Sequence, residues 1–191
     1  MARFSVFFDA CVLVPIALAD TLLRLGEADL YRPLWSRRIL DEMVSAVEKI
    51  HPDLADGRAR RRAAVMDDAF DDAGVVGWEQ CLTIVELPDP GDRHVVAAAV
   101  VGRADLIVTA NVRDFPLHAL EPFGLEVQHP DVFLLNQLDL APNRVMRTLG
   151  QQAAATGRPT LTVDSLLSQL ARCGVPEFAA VAARQKWRVD E

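Results

Sequence analysis

The sequence predicts an α/β domain in three layers, with helices over both faces of a central parallel sheet, followed by a helical C-terminal extension. Short apolar runs alternate with longer stretches of helical spacing, a pattern that builds strand–helix–strand units with parallel strands. The chain's 191 residues exceed what one such domain usually needs, so an appendage is expected. Around Pro142 the character changes to Ala- and Gln-rich helical sequence. We therefore expect one domain over residues 1–138 and a helical extension over 139–191.

Phe4-Ser5-Val6-Phe7-Phe8, aromatic and β-branched, reads as a buried strand. Val12 to Leu25 has helical spacing, with Pro15 tolerable only in the first turn. Leu30 to Trp35 reads as a second strand, which Pro33 pushes toward an edge or a bulge. Ser36 then caps the helix RRILDEMVSAVEKI, whose Ile39, Met43, Val47 and Ile50 form one apolar stripe, and His51-Pro52 ends it. Gly57 to Phe70 is a further helix, with Ala59, Ala63, Met66 and Phe70 inward. Its arginines (58, 60, 61, 62) lie at the start and its aspartates (67, 68, 71, 72) at the end, so both oppose the helix dipole. They form either a solvated face or a basic ridge that meets RNA or a partner protein.

Leu82 to Val85 suggests a third strand. Asp89-Pro90 caps and opens a helix that runs to Val101. Leu106 to Thr109 is the clearest strand, Leu125 to Val127 a last one, and Pro130 to Leu135 a short helix. In the extension, 143–155 is helical and Gly157-Arg158-Pro159 is a linker. A capped helix follows from Thr162 or Asp164 to Leu170, and another from Pro176 to Trp187.

Charge is unevenly spread. Residues 1–135 carry 13 basic and 22 acidic side chains, a balance of −9, while 136–191 carry +2. The acidic part lacks the broad basic footprint of a non-specific nucleic-acid binder. Either its partner is not anionic, or bound cations and a few placed arginines supply positive charge. Three scattered cysteines (11, 81, 173) form neither a disulfide framework nor a zinc finger and fit a reducing compartment. The N-terminal run VLVPIALA faintly imitates a signal peptide, but Asp9 would cost about 2.5–3.5 kcal/mol inside an inserted segment. No long uncharged stretch exists elsewhere, so a soluble, cytoplasmic protein is expected, with no membrane partner.

Ligands of open α/β sheets bind outside the carboxyl ends of the strands, and that rule singles out four acids. Asp9 follows the first strand, and an acid there has no ready structural explanation. Asp114 lies five residues past Thr109, Asp92 sits in the first turn of a helix, and Glu42 stands one position off an apolar stripe. Taken alone, Asp92 also reads as a helix-start acid, Asp114 as a turn former and Glu42 as a surface glutamate. Four carboxylates converging at one rim would repel one another unless a cation sat among them. Oxygen donors favour Mg²⁺ or Mn²⁺ over zinc. The histidines (51, 94, 118, 129) form no HxxxH or HxH pair.

FFDACVLVP, the Glu of RRILDEMV, LPDPGDRHVVAAAV and LIVTANVRDFP together resemble a PIN-domain nuclease, most closely the VapC-type toxins of bacterial toxin–antitoxin pairs. The resemblance covers roughly residues 4–135, and the tail more weakly resembles the helical extension of a subset of these toxins. It implies a PIN-like α/β/α nuclease domain and places the family's acidic metal ligands on Asp9, Glu42, Asp92 and Asp114. Thr109 and Asn111 take the positions of polar residues lining that site. One departure is Cys11, where the family usually has Ser, Thr or Asn, and a thiol is a poor ligand for Mg²⁺.

The expected function is a Mg²⁺- or Mn²⁺-dependent endoribonuclease. Asp9, Asp92 and Glu42 hold one metal, and Asp114 orients a water or helps a second ion. Arg93 and Arg113 flank the site and contact RNA phosphates, unless they are plain surface arginines. A cognate DNA-binding antitoxin is the expected partner besides RNA, and the tail serves partner control or self-association as a homodimer. A housekeeping RNA-processing nuclease and an inactive PIN-like binding module are the alternatives. Dehalogenase-type phosphatases need an Asp where Cys11 stands. Response-regulator receivers need a lysine after a late strand, and the chain's two lysines, Lys49 and Lys186, follow none.

Overall fold

The computed structural model describes residues 4–52, 57–157 and 160–189. Arg3, and Arg158 and Pro159 of the expected linker, lie outside the described residues. By density of contacts the chain divides into two compact units: Met1–Val14 with Arg32–Gln128, and Pro15–Tyr31 with His129–Glu191.

The first unit holds β1 (Ser5–Phe8), β2 (Arg32–Ser36), β3 (Gly74–Val75), β4 (Leu106–Val108) and β5 (Glu126–Gln128). Its helices are α1 (Ala10–Leu13), α3 (Arg37–Ile50), α4 (Arg58–Ala69), α5 (Arg93–Val101) and α6 (Leu117–Leu120); α2 (Ile16–Glu27) falls in the second unit. The strands form one parallel sheet in the order β3-β2-β1-β4-β5, with flanking helices, the α/β/α arrangement that the sequence predicts. In its middle Phe7 pairs with Leu34 on one side and Ile107 on the other. Val6, Phe7, Phe8, Ile107 and Val108 are wholly buried, as strands covered on both faces must be. Gly102, just past α5, lies so close to Val75 and Leu34 that a Cβ there would stand 2.7 Å from a Val75 methyl.

Pro33 lies in an inner strand, not at an edge. Arg32 N–H faces β1, donating to Phe4 O at 2.8 Å, and Trp35 N–H faces the other side, donating to Ala73 O. By alternation Pro33's missing N–H falls on the β3 side, where pairing begins only at Trp35. The expected strand over 82–85 is instead the end of a 3-10 helix, Trp78–Ile84. Ile84 is 58% exposed, so this apolar run is not buried on two faces as an inner strand would be. The true third strand is the pair Gly74-Val75, too short to show a period of two. Pro15 divides the expected first helix into α1 and α2, because it caps the second with extended backbone.

The odd charge order of α4 resolves into contacts. Arg62 turns inward and donates to the free carbonyls of Leu13 and Val14 at the end of α1. Asp67 accepts from Trp35 Nε1 at 2.9 Å, and Asp72 from Arg32 Nε at 2.8 Å.

The second unit is helical: α2, α7 (Pro130–Leu140), α8 (Pro142–Ala155), α9 (Val163–Arg172) and α10 (Pro176–Ala183). Thus α7 runs five residues past Leu135, and α10 ends before Trp187, which falls in a 3-10 turn. Thr162 caps α9 by accepting from Ser165 N–H at 3.1 Å. Gln152 on α8 donates to Ala17 O and accepts from Thr21 Oγ1 at 2.7 Å, joining α8 to α2 through buried polar groups. The Asp131 carboxylate accepts from Glu177 N–H at 3.1 Å and Phe178 N–H at 2.7 Å, two orphan amides in the first turn of α10. Among the described residues no helix is long and apolar enough to cross a membrane.

Candidate active site

The strand order reverses between β1 and β4, and the crevice outside their carboxyl ends is the ligand position of open parallel sheets. Asp9 and Thr109 are the first residues beyond those two strands. The backbone ladder carries on through them, with Asp9 N–H donating to Val108 O and Thr109 N–H to Gln128 O, both at 3.1 Å. Asp9 opens α1 with extended backbone, yet its carboxylate caps no amide.

That carboxylate is instead pinned through one oxygen. Thr109 Oγ1 donates to Asp9 Oδ2 at 2.7 Å, and Cys11 Sγ donates to the same atom at 3.1 Å. Thr109 is fully buried and accepts from Asn111 N–H at 3.1 Å, so one hydroxyl fixes both the acid and the turn after β4. Cys11 Sγ also accepts from Ala110 N–H. Burial foremost, then the Asp9 charge, push the Cys11 thiol up to about 12, so it stays a neutral donor. Cys11 thus holds Asp9 in place.

Asp92 ends the 3-10 turn Pro90–Asp92 and stands before α5. Asp89 shapes that turn by accepting from Gly91 N–H at 2.7 Å. Burial foremost, then the charges of Asp9, Asp89 and Asp114, push the Asp92 carboxyl above the ordinary aspartate range, while His94 pulls the other way. Asp9 and Asp114, each from a different loop, therefore both lie within electrostatic reach of Asp92. Asp114 closes the 3-10 turn Val112–Asp114, and Asn111 ahead of it is exposed.

Glu42 on α3 has different surroundings. Its Oε1 accepts from Arg38 Nε at 2.9 Å and faces His94 Nε2 at 3.1 Å. Partial burial pushes its carboxyl up, but the bonds and charges of His94 and Arg38 outweigh that and hold it below the usual glutamate value. Arg38 Nη2 reaches toward Gly91 O at 3.5 Å, and His94 comes two residues after Asp92. Glu42 is thus tied to the segment that carries Asp92, although its charge is not among those that act on Asp92. Of the two flanking arginines, Arg93 is half-buried with an unpartnered buried Nε, and Arg113 is exposed.

Sequence reasoning read Asp89 only as a helix cap, and it missed Arg38 and His94 as partners of the site. Arg38 was legible as an i,i+4 partner of Glu42. His94 was legible as a polar residue opening the apolar stretch Val95–Ala99, which is buried throughout.

The carboxylate oxygens and the Thr109 hydroxyl are hard donors, and the crowded charge around Asp92 is what a divalent cation would relieve. The donor set therefore fits Mg²⁺ or Mn²⁺ in kind. Among the described residues, no three His, Cys, Asp or Glu side chains are already disposed to enclose an ion. Binding would require them to close in.

The PIN domain family matches residues 5–113, from the start of β1 to one residue short of Asp114. The VapC50 C-terminal domain family matches residues 130–184. A curated relative, "Putative ribonuclease VapC50" of Mycobacterium tuberculosis, is 46% identical over 93 residues, 49% of this chain and 54% of its own length. The chain spans about half the length of this curated relative. No solved structure gives a significant match. With one family match spanning more than half of its length, from β1 into the 3-10 turn after β4, the chain belongs to the PIN-domain family.

Proposed function

We propose that this protein is a divalent-metal-dependent endoribonuclease, the toxin component of a bacterial toxin–antitoxin pair. The observation that carries the reading is the gathering of Asp9, Asp92 and Asp114 where the strand order of the parallel sheet reverses. Family membership, and a relative named as a ribonuclease, support it.

Asp9, Asp92 and Glu42 would hold Mg²⁺ or Mn²⁺, with Asp114 orienting a water or assisting a second ion. The cation, when bound, supplies positive charge at the attacked phosphate and acidifies water. Thr109 and Cys11 fix Asp9 through one oxygen and leave its Oδ1 without a hydrogen bond among the described residues. Asp114 would hold the attacking water by hydrogen bonding, and Arg113 and Arg93 would meet the flanking phosphates. Water, not a ribose hydroxyl, would be the nucleophile, so products carry 5′-phosphate and 3′-hydroxyl ends. The cognate partner is a DNA-binding antitoxin in the cytoplasm. Residues 1–138 carry the chemistry, and 139–191 serve partner control or self-association as a homodimer.

The test is cleavage of total RNA with added Mg²⁺ or Mn²⁺, comparing wild type with Asp9→Asn and mapping product ends. Metal-dependent cuts that disappear in a folded Asp9→Asn protein support the reading. Cuts that persist in that variant overturn it.

A further inference from the structure

His94 is 2% exposed, and next to it on α5 the stretch Val95–Ala99 is apolar and equally buried. Its ring lies 5.9 Å from that of Trp78, which closes the apolar side. An imidazole taken out of water this completely costs free energy unless its nitrogens are bonded. Nε2 meets Glu42 Oε1 at 3.1 Å, whereas Nδ1 is buried with no partner. A residue chosen only to fill space would leave neither problem. Leucine would pack there without an orphaned nitrogen.

The contact is also one-sided in a useful way. Arg38 and His94 both address Glu42 Oε1, which leaves Oε2 with no hydrogen bond among the described residues. Asp9 repeats the pattern, with Thr109 and Cys11 both on Oδ2. Of the two donors on Glu42, Arg38 is a long, exposed side chain, while His94 is held by burial. His94 also stands two residues after Asp92 on the same turn into α5, so one short segment carries both an acid of the cluster and the group that orients another.

We infer that His94 is a positioning residue, which fixes Glu42 through one carboxylate oxygen and so leaves the other free to bind a divalent cation together with Asp9 and Asp92. The inference rests on the metal-dependent nuclease reading and adds the residue that makes Glu42 a competent ligand. Groups that orient metal ligands in this way are worth about 10–100-fold in metal affinity.

The experiment measures Mg²⁺ and Mn²⁺ affinity from thermal stabilisation of the full chain, in wild type, Asp9→Asn, His94→Gln and His94→Asn. The two His94 variants are both amides, but only Gln is long enough to place an N–H near the position of Nε2. We expect Asn to weaken affinity by about 10–100-fold, and Gln to restore it toward wild type. A purely structural histidine would give Gln and Asn equal affinities. In wild type, ¹⁵N-histidine spectra should show His94 Nε2 carrying a proton toward Glu42, and saturating Mg²⁺ should shift that signal. The same addition should leave it unmoved in Glu42→Gln. This arm needs no His94 variant to fold. Metal binding lost in Asp9→Asn but equal in His94→Asn, His94→Gln and wild type overturns the inference alone, as does an unmoved His94 signal in metal-saturated wild type. No metal binding by wild type overturns the nuclease reading beneath it.

Discussion

Thr109→Val removes one hydroxyl that donates to Asp9 Oδ2 at 2.7 Å, accepts from Asn111 N–H at 3.1 Å and meets Cys11 Sγ at a longer 3.4 Å. Valine nearly matches threonine in shape, so little packing is lost at this fully buried position. A hydrogen bond to a charged acceptor contributes about 1.5–3 kcal/mol net, against about 0.5–1.5 for a neutral pair. The Asn111 amide adds little, because Asn111 is exposed and water can replace the acceptor. For a chain of this size each kcal/mol moves the melting temperature by about 2–4 °C, so a drop of about 3–12 °C is expected. The same substitution in Asp9→Asn breaks only a neutral bond, since the amide oxygen still accepts but carries no charge. Its cost there should fall to about 0.5–1.5 kcal/mol. The assay is thermal unfolding of the four proteins of this double-mutant cycle in EDTA, which keeps metal out of the comparison. Equal costs in the two backgrounds, or no cost in wild type, would refute the idea that Thr109 holds a charged Asp9.

Added Mg²⁺ or Mn²⁺ should stabilise wild type by about 2.7 kcal/mol at a hundred times Kd, read as a higher melting temperature, while EDTA stops cleavage without unfolding the chain; circular dichroism with and without EDTA checks the fold. Asp131→Ala strips two amides in the first turn of α10 of their acceptor and should cost about 1–3 kcal/mol, read by chemical denaturation, whereas Asp131→Asn keeps one acceptor and should cost less. With its thiol pushed up to about 12, Cys11 is almost entirely un-ionised at pH 8. Iodoacetamide should therefore modify it slowly in the native, metal-free protein and quickly after unfolding, when the value relaxes toward 8.5; peptide-resolved mass spectrometry would show equal rates if the burial argument fails.

The parts of the fold that sequence pattern reveals are those in which one face or one run decides the outcome. β1 and β4 are continuous apolar runs because both their faces are covered, and α3 shows a clean stripe after the Ser36 cap. Local capping was equally legible, at Asp89 and at Thr162, because the partner amides are only two or three residues away. What stayed hidden depends on contacts distant in sequence. Gly74-Val75 becomes a strand only because β2 lies beside it. Leu82 to Ile84 carries strand-like residues that tertiary packing sets into a 3-10 helix instead. The sequence places Asp9, Asp92 and Asp114 at element ends, and the parallel sheet gathers them. The network around Glu42 needed the fold, because nothing local says that His94 faces α3 across roughly fifty residues of chain.

RNA cleavage as a function of Mn²⁺ concentration, in wild type and in Asp92→Asn with folding confirmed for both, tests the central claim most directly. The acidic cluster at the mouth of the parallel sheet predicts cleavage that rises with metal in wild type, vanishes in excess EDTA and is absent from the folded variant at every concentration. Undiminished cleavage in excess EDTA, or a fully active Asp92→Asn protein, would contradict it.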